Sequence, residues 1–450
     1  MGTWTLRLAL RSLRHRLTSF TATFLAVLLG TAVVGSFATL IETATGPVSD
    51  HDAETLTIMG SVVGGWGALI VLFSVASTVG ITVGQRDAEI GLLRTIGATP
   101  RQARRLIRVE ALVVCLVAAI AGAGIASLGG RALLAMLESS GLIGDAEYRG
   151  SVISLGATVA GMLLVSAVAT GTAGRRATRG PASVTPGENR PAARRLRWWR
   201  WAGAGLLIAY GLSLAMLTVT VTKSSDDPYD AMLTSGSNSI LISVGLALLS
   251  PVLLRWGSRL LRPVLGRRRV ACHLASSNTS RRAHLLAGVL APVIVLTASA
   301  VGTLMAVGTD ARTVPTANAD SETIELLNHV VVGMLSVFAA IMVINAFAAA
   351  IAHRRAELRR LRLLGATPAE VEQSIVVEAA IVAAVGVIVG LMASLATIVP
   401  FGVARGEGIV PDGQLWLPPL LVGGIVVLTL GAARHAACRT LRRDELVCAR

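Results

Sequence analysis

Runs of about 20 consecutive apolar residues recur along the whole chain, and this feature limits the possible folds more than any other. A helix of that length crosses roughly 30 Å of hydrocarbon. Because lipid offers no hydrogen bonds to the backbone, a spanning segment must pair its own peptide groups, as a helix does. The runs are continuous and do not alternate with polar residues, which argues against an outer-membrane barrel. The sequence therefore predicts an all-α polytopic membrane protein.

The apolar runs predict about ten transmembrane helices. They lie near 18–40, 59–84, 109–130, 152–174, 201–222, 237–257, 284–308, 329–352, 375–399 and 415–433. Four arginines precede the first run, but its apolar core is longer than that of a typical signal peptide, so we expect a retained helix. Pro251 lies inside the sixth run and indicates a kink or a helix start there.

Basic residues are concentrated in the gaps between alternate runs. Six segments carry 36 of the 41 basic residues. They are 1–17, 85–108, 175–200, 255–283, 353–374 and 434–450. The positive-inside rule places these segments in the cytoplasm. We therefore expect a bacterial cytoplasmic membrane protein with both termini in the cytoplasm.

The formal net charge of +15 could suggest a nucleic-acid partner. However, the basic residues are neither gathered in one domain nor interleaved with aromatic residues, as nucleic-acid binding would require. Membrane lipid is the expected partner instead. The four cysteines have no paired metal-ligand spacing, so we expect neither a metal site nor a disulfide.

An internal repeat is the most informative feature of the chain. Residues 85–114 align without gaps to residues 353–382, with 14 of 30 positions identical. The offset spans six predicted helices, so the two copies have the same orientation in the membrane. We predict a first four-helix repeat at 1–174, a cytoplasmic linker with two bridging helices at 175–269, and a second four-helix repeat at 270–450.

Each copy contains a helix–break–helix elbow after its second span. The glycine of the shared Gly-Ala-Thr-Pro suits the left-handed position that ends a helix. The threonine suits an N-cap with proline at the first helical position, and Gln102 or Glu370 completes a capping box three residues later. The break residues are Gly97, Ala98, Thr99 and Pro100 in the first copy and Gly365, Ala366, Thr367 and Pro368 in the second.

The elbow sequence resembles that of the FtsX-like and MacB-type permease family of ABC transporters. In that family the pattern Arg-x-x-Glu-(x4)-Arg-x-x-Gly-Ala is followed after a dozen residues by Glu. The matching residues are Arg86, Glu89, Arg94, Gly97, Ala98 and Glu110 in the first copy and Arg354, Glu357, Arg362, Gly365, Ala366 and Glu378 in the second. The resemblance implies that these residues form coupling helices that dock on ATP-hydrolysing subunits.

The overall organisation is similar to that of the ten-span, BceB-type permeases, in which one chain holds both halves. Such relatives usually carry a large extracytoplasmic domain. Here the corresponding loops, near 41–58 and 309–328, are too short to fold into one. We therefore do not transfer lipoprotein extraction, tripartite efflux or hydrolase activation by such a domain to this chain.

Two carboxylates, Glu110 and Glu378, stand where the second arm of each elbow enters the membrane. An unpaired carboxylate is costly at such a position. We expect each to pair with a nearby arginine, with Arg94 and Arg362 as the candidates. The alternative for the whole elbow is a well-capped loop whose charges face water and anionic lipid.

The chain contains no Gly-x4-Gly-Lys-Ser/Thr sequence, and its only lysine is Lys223. A P-loop is therefore absent, and the chain is not expected to be an enzyme or to bind a cofactor. ATP and magnesium would be bound by a separate ABC ATPase. One elbow per repeat predicts two ATPase copies per permease.

The favoured function is the export or extraction of a hydrophobic or amphipathic compound, such as a lipid, an antibiotic or a peptide. A first alternative is a permease that transmits a signal without transport. A second is a secondary transporter, but the span centres nearly lack the acidic residues that ion coupling normally uses.

Overall fold

Every regular element in the described residues is helical. The computed structural model describes residues 17–84, 91–93, 95–139, 141, 143–177, 197–224, 231, 234–265, 279, 283–313, 340, 343–344, 346–347, 350–351, 355–409 and 415–448. Seven helices in this part of the chain are long and apolar enough to cross a membrane. The predicted all-α polytopic membrane fold is confirmed.

The described helices comprise long apolar spans and several shorter elements. In chain order they are α1 (Leu17–Ala44), α2 (Asp50–Ile58), α3 (Gly64–Gly84), α4 (Pro100–Ser139), α5 (Val152–Ala177), α6 (Trp198–Thr220), α7 (Asn238–Leu248), α8 (Ser250–Leu265), α9 (Ala283–Thr313), α10 (Arg355–Leu363), α11 (Pro368–Ala404) and α12 (Leu417–Cys448). A π-helical turn, Met59–Val63, joins α2 to α3, and a 3₁₀ turn, Thr222–Ser224, follows α6.

The seven long spans lie in α1, α4, α5, α6, α9, α11 and α12 and coincide with seven of the predicted runs. The predicted run at 59–84 contains a shorter apolar helix, Gly67–Gly80. The predicted run at 329–352 lies mostly outside the described residues. The count of ten spans therefore stays a prediction at that position.

The sixth predicted run, at 237–257, is bent and not a single straight helix. α7 ends at Leu248, and α8 leaves it at an angle of 82°. Pro251 is the second residue of α8, where its missing N–H and its ring prevent α7 from continuing. The break agrees with the kink or helix start that Pro251 indicates in the sequence. The hydropathy of the run averages across it and does not give its angle.

α1 to α5 belong to one compact unit, and α6 to α12 belong to a second. In the first unit, α1 packs mainly on α4, and buried residues of α1, α3, α4 and α5 share one core. In the second unit, α9 is the central helix, and 94% of its most apolar stretch is buried. α6 and α7, the predicted bridge, pack within this second unit.

Glycines permit close helix contacts at several positions. A Cβ added at Gly64 would lie 2.5 Å from Phe37 Cβ of α1, and one added at Gly386 would lie 2.6 Å from Val293 Cγ1 of α9. Such small residues let neighbouring helices approach closely.

Candidate functional site

The two elbows stand at the start of α4 and α11, the longest helices of the two units. In the second copy, α10 supplies the first arm, residues 364–367 form the break, and α11 supplies the second arm. In the first copy, the described part of the first arm is limited to 91–93 and 95–96. The predicted site residues Arg86, Glu89, Arg94 and Arg354 lie outside the described residues.

The break has the same backbone geometry in both copies. Gly97 has a φ of 102° and Gly365 a φ of 99°, in the left-handed region that favours glycine. The N–H of Ala98 donates to the carbonyl of Leu93 at 2.9 Å, and the N–H of Ala366 donates to that of Leu361 at 3.0 Å. These bonds satisfy the last carbonyls of each first arm and fix the change of direction.

A reciprocal capping box begins each second arm. The N–H of Thr367 donates to Glu370 Oε2 at 2.9 Å, and the N–H of Glu370 donates to Thr367 Oγ1 at 3.3 Å. In the first copy, Thr99 and Gln102 make the same pair of bonds at 2.9 and 3.3 Å. Both boxes follow the spacing found in the sequence. The start of each second arm is therefore fixed by hydrogen bonds.

Each elbow presents an exposed apolar side chain directly before its left-handed glycine, a feature that the elbow motif alone did not indicate. Ile96 is 77% exposed and Leu364 is 84% exposed. They are aligned residues of the repeat, and each directly precedes the left-handed glycine. Their identical place before the glycine in both copies is the signal that could have identified them. Leu363, which precedes Leu364, is also 79% exposed. Such exposure next to charged residues is typical of a contact with another protein.

The two elbows differ in charge. The second arm of the first elbow is basic, with Arg101, Arg105 and Arg108 exposed on α4. The second arm of the other elbow has Glu370 and Glu372 in the corresponding stretch of α11. Glu372 pairs with Arg434 of α12 at 2.9 Å. The shared backbone thus carries unequal electrostatic surfaces.

Glu110 and Glu378 are each the eleventh residue of their helix. Each is 2% exposed. Ala103 and Ile107 lie on the same buried stripe as Glu110, and Val371 and Ile375 lie on that of Glu378. Burial agrees with the expectation that both carboxylates have partners. Their pairing with Arg94 and Arg362 stays a prediction.

The second arms continue into the core of each unit through a glycine at the same repeat position. A Cβ added at Gly122 of α4 would lie 2.5 Å from the Leu28 carbonyl oxygen of α1. One added at Gly390 of α11 would lie 2.5 Å from Thr297 Cβ of α9. Each elbow therefore stands at the start of a long helix that packs tightly on the first helix of its own repeat.

The far ends of α9 and α11 are joined by two ion pairs. Arg312 contacts Glu407 at 3.0 Å, and Arg405 contacts Asp310. These residues are 95 positions apart in the chain, so no local pattern indicates the pairing. In the first unit, hydrogen bonds from the N–H groups of Arg149 and Ser151 to Thr43 and Glu42 hold the corresponding end of α1.

The first unit also contains an open apolar groove of about 420 Å³ between α1, α3 and α5. Among the described residues, its polar lining side chains are those of Ser154 and Thr158. Both hydroxyls donate to carbonyls of the preceding turn of α5. The groove therefore offers hydrocarbon contacts and few free hydrogen-bonding groups. No group of three His, Cys, Asp or Glu side chains that could hold a metal occurs within the described residues.

Comparison with known proteins gives one family match. Residues 61–182 and 330–443 both match the family described as FtsX-like permease C-terminal. Together the two regions cover just over half of the chain, and each includes one elbow and its long second arm. No curated protein matches the chain significantly.

Proposed function

This chain belongs to the FtsX-like permease family, whose members are membrane subunits of ABC systems, and we propose that it couples a separate ABC ATPase to the movement of a hydrophobic or amphipathic compound. Members of the family normally pair with such an ATPase. The observation that carries the proposal is the pair of matching elbows, each with a rigid break and an exposed apolar tip.

The tips are the proposed contacts with the ATPase. Ile96 and Leu364 would each insert into an apolar groove, while the exposed arginines around them contribute charge contacts at the rim. An apolar anchor surrounded by polar residues is the usual anatomy of a protein interface. Two elbows accommodate two ATPase copies, which bind the ATP and the magnesium.

The long second arms would carry the movement into the membrane. A capped break resists bending, so a force applied at the tip moves α4 or α11 as a whole. The close glycine contacts at Gly122 and Gly390 transmit that movement to α1 and α9. The buried carboxylates Glu110 and Glu378, paired with arginine, would fix the orientation of each arm where it enters the bilayer.

The open apolar groove of the first unit is consistent with a hydrophobic substrate, because its lining offers little to bind a strongly polar one. Export or extraction from a bacterial cytoplasmic membrane, with both termini in the cytoplasm, is the proposed direction and location. The arginine distribution supports this orientation.

The test is co-purification of the chain with the ABC ATPase encoded nearest to it, in mild detergent with nucleotide. Ile96→Asp or Leu364→Asp should each leave one ATPase per permease, and the double variant should retain none. Val152→Asp, at a residue that is 87% exposed at the far end of the first unit, is the matched control. It should retain both copies.

Other outcomes separate the alternatives. If the wild-type chain binds no ABC ATPase yet transports substrate, it is a secondary carrier. If it binds the ATPase but moves no amphipathic dye or lipid in proteoliposomes, it transmits a signal. Retention of both ATPase copies by the double variant would overturn the docking role of the tips.

A further inference from the structure

α8 has three distinct faces, each formed by residues four apart. Leu254 and Ser258 are 0% and 1% exposed and face the second unit. Trp256 and Leu260 are 67% and 77% exposed. Arg255 and Arg259 form the third face, and residues 250–265 contain no acidic residue. A helix with separate apolar and basic exposed faces is typical of one that lies in a membrane interface.

The direction of α8 fits that position. α7 follows the course of a span, and α8 leaves it at 82°, close to a right angle. A Cβ added at Gly257 would lie 2.5 Å from Val385 Cγ2 of α11, so α8 packs tightly against α11. α8 therefore runs along the membrane surface at a fixed place on the bundle.

Exposed tryptophans at the start of α6 indicate the membrane–water interface beside α8. Trp198, Trp199 and Trp201 are 79%, 41% and 50% exposed, and tryptophan is enriched at membrane–water interfaces. A Cβ added at Gly203 of α6 would lie 3.6 Å from Leu248, the last residue of α7. The end of α7, where α8 begins, thus lies beside a group of exposed tryptophans.

We propose that α8 binds the headgroups of anionic phospholipids in the adjacent leaflet. Trp256 and Leu260 enter the acyl boundary, which brings Arg255 and Arg259 to the level of the lipid phosphates. Neither arginine forms an ion pair with another residue in the described part of the chain. Basic interfacial helices bind anionic lipid in this way. This site is separate from the elbow tips and does not depend on ATPase binding.

The test is native mass spectrometry of the full chain in detergent, titrated with phosphatidylglycerol, phosphatidylcholine or glycerol phosphate. The wild-type chain should retain phosphatidylglycerol in preference to phosphatidylcholine. R255Q/R259Q should lower phosphatidylglycerol retention by about 30-fold and leave phosphatidylcholine unchanged. R255K/R259K keeps the charge and should retain most of the binding. Glycerol phosphate should not bind, because it lacks the acyl chains.

R101Q/R105Q is the matched control, since it removes two exposed arginines four residues apart on α4. It should bind phosphatidylglycerol as the wild type does. Equal losses in the two glutamine variants would show only a general charge effect and would overturn the proposal. Unchanged lipid retention in R255Q/R259Q would also overturn the proposal. The same holds if that variant retains lipid but loses ATPase binding. A melting curve for each variant excludes misfolding as the cause.

Discussion

Arg312 binds Glu407 through two parallel hydrogen bonds, from Nε to Oε1 and from Nη2 to Oε2, each 3.0 Å long. Two residues before each of them in the chain, Asp310 and Arg405 form a second pair. The end of α9 thus carries an acid followed by a base, and the turn that follows α11 carries a base followed by an acid. The two pairs fix the register at this end, because a shift of two residues would bring like charges together.

Glu407→Gln should lower the stability of the second unit by about 1 kcal/mol, because it removes a bidentate charged pair. The side chains of Arg312 and Glu407 are 30% and 9% exposed, so solvent screens the pair only in part. Thermal unfolding in detergent measures the effect. The exchange R312E/E407R should restore part of the loss, and an additive double variant would contradict the pairing.

Gly390→Ala should destabilise the second unit by about 1–3 kcal/mol, because the new methyl group meets a packed side chain and a backbone carbonyl. Its Cβ would lie 2.5 Å from Thr297 Cβ and 3.0 Å from the Ile294 oxygen. Gly431→Ala, in α12, is the control, since its added Cβ meets nothing within 4 Å. Equal melting temperatures for the two variants would rule out the proposed close contact.

Gly97→Ala should cost about 1–2 kcal/mol at the first elbow through its left-handed backbone alone, because no atom lies within 4 Å of the added Cβ. The same change at Gly91, in the preceding helical segment, has no such conformational cost. ATPase activity stimulated by the permease should fall for Gly97→Ala and be maintained for Gly91→Ala. If the ATPase activity fell for Gly91→Ala and was maintained for Gly97→Ala, the break geometry would not control coupling.

Thr367→Ala should loosen the first turn of α11, with a local loss of about 1 kcal/mol, because it removes the cap of the Glu370 amide. Hydrogen exchange of peptides covering 364–372 should become faster. Thr367→Ser keeps the hydroxyl and should exchange nearly as the wild type does. If both variants protect these amides equally, the capping box does not stabilise the elbow.

Glu110→Ala and Glu378→Ala should each reduce membrane expression or transport, since each removes a buried carboxylate that we expect to hold an arginine. Glu138→Ala removes a carboxylate elsewhere on α4 and serves as the comparison. Quantitative immunoblotting of membranes separates loss of protein from loss of transport. Normal expression together with normal transport in both variants would remove the proposed role.

The elbows could be predicted from the sequence because their determinants are local. Gly97, Thr99 and Gln102 define a break, a cap and a capping box within six residues, and the repeat supplies a second copy. Pro251 indicates a kink or a helix start in the sixth run, but the angle of 82° could not be predicted, because hydropathy measures composition over a window and not direction. The Arg312–Glu407 pair joins residues 95 positions apart, which only the folded chain brings together. The exposure of Leu364 likewise depends on what packs around the break.

The far ends of the two repeats are held by different donors. Glu42 occupies the repeat position of Asp310, but it accepts a hydrogen bond from an uncharged backbone N–H at 3.0 Å where Asp310 pairs with an arginine. Both carboxylates accept charge-assisted bonds, but only the second bond has a charge on both partners. Opening this end should therefore cost more free energy in the second unit than in the first.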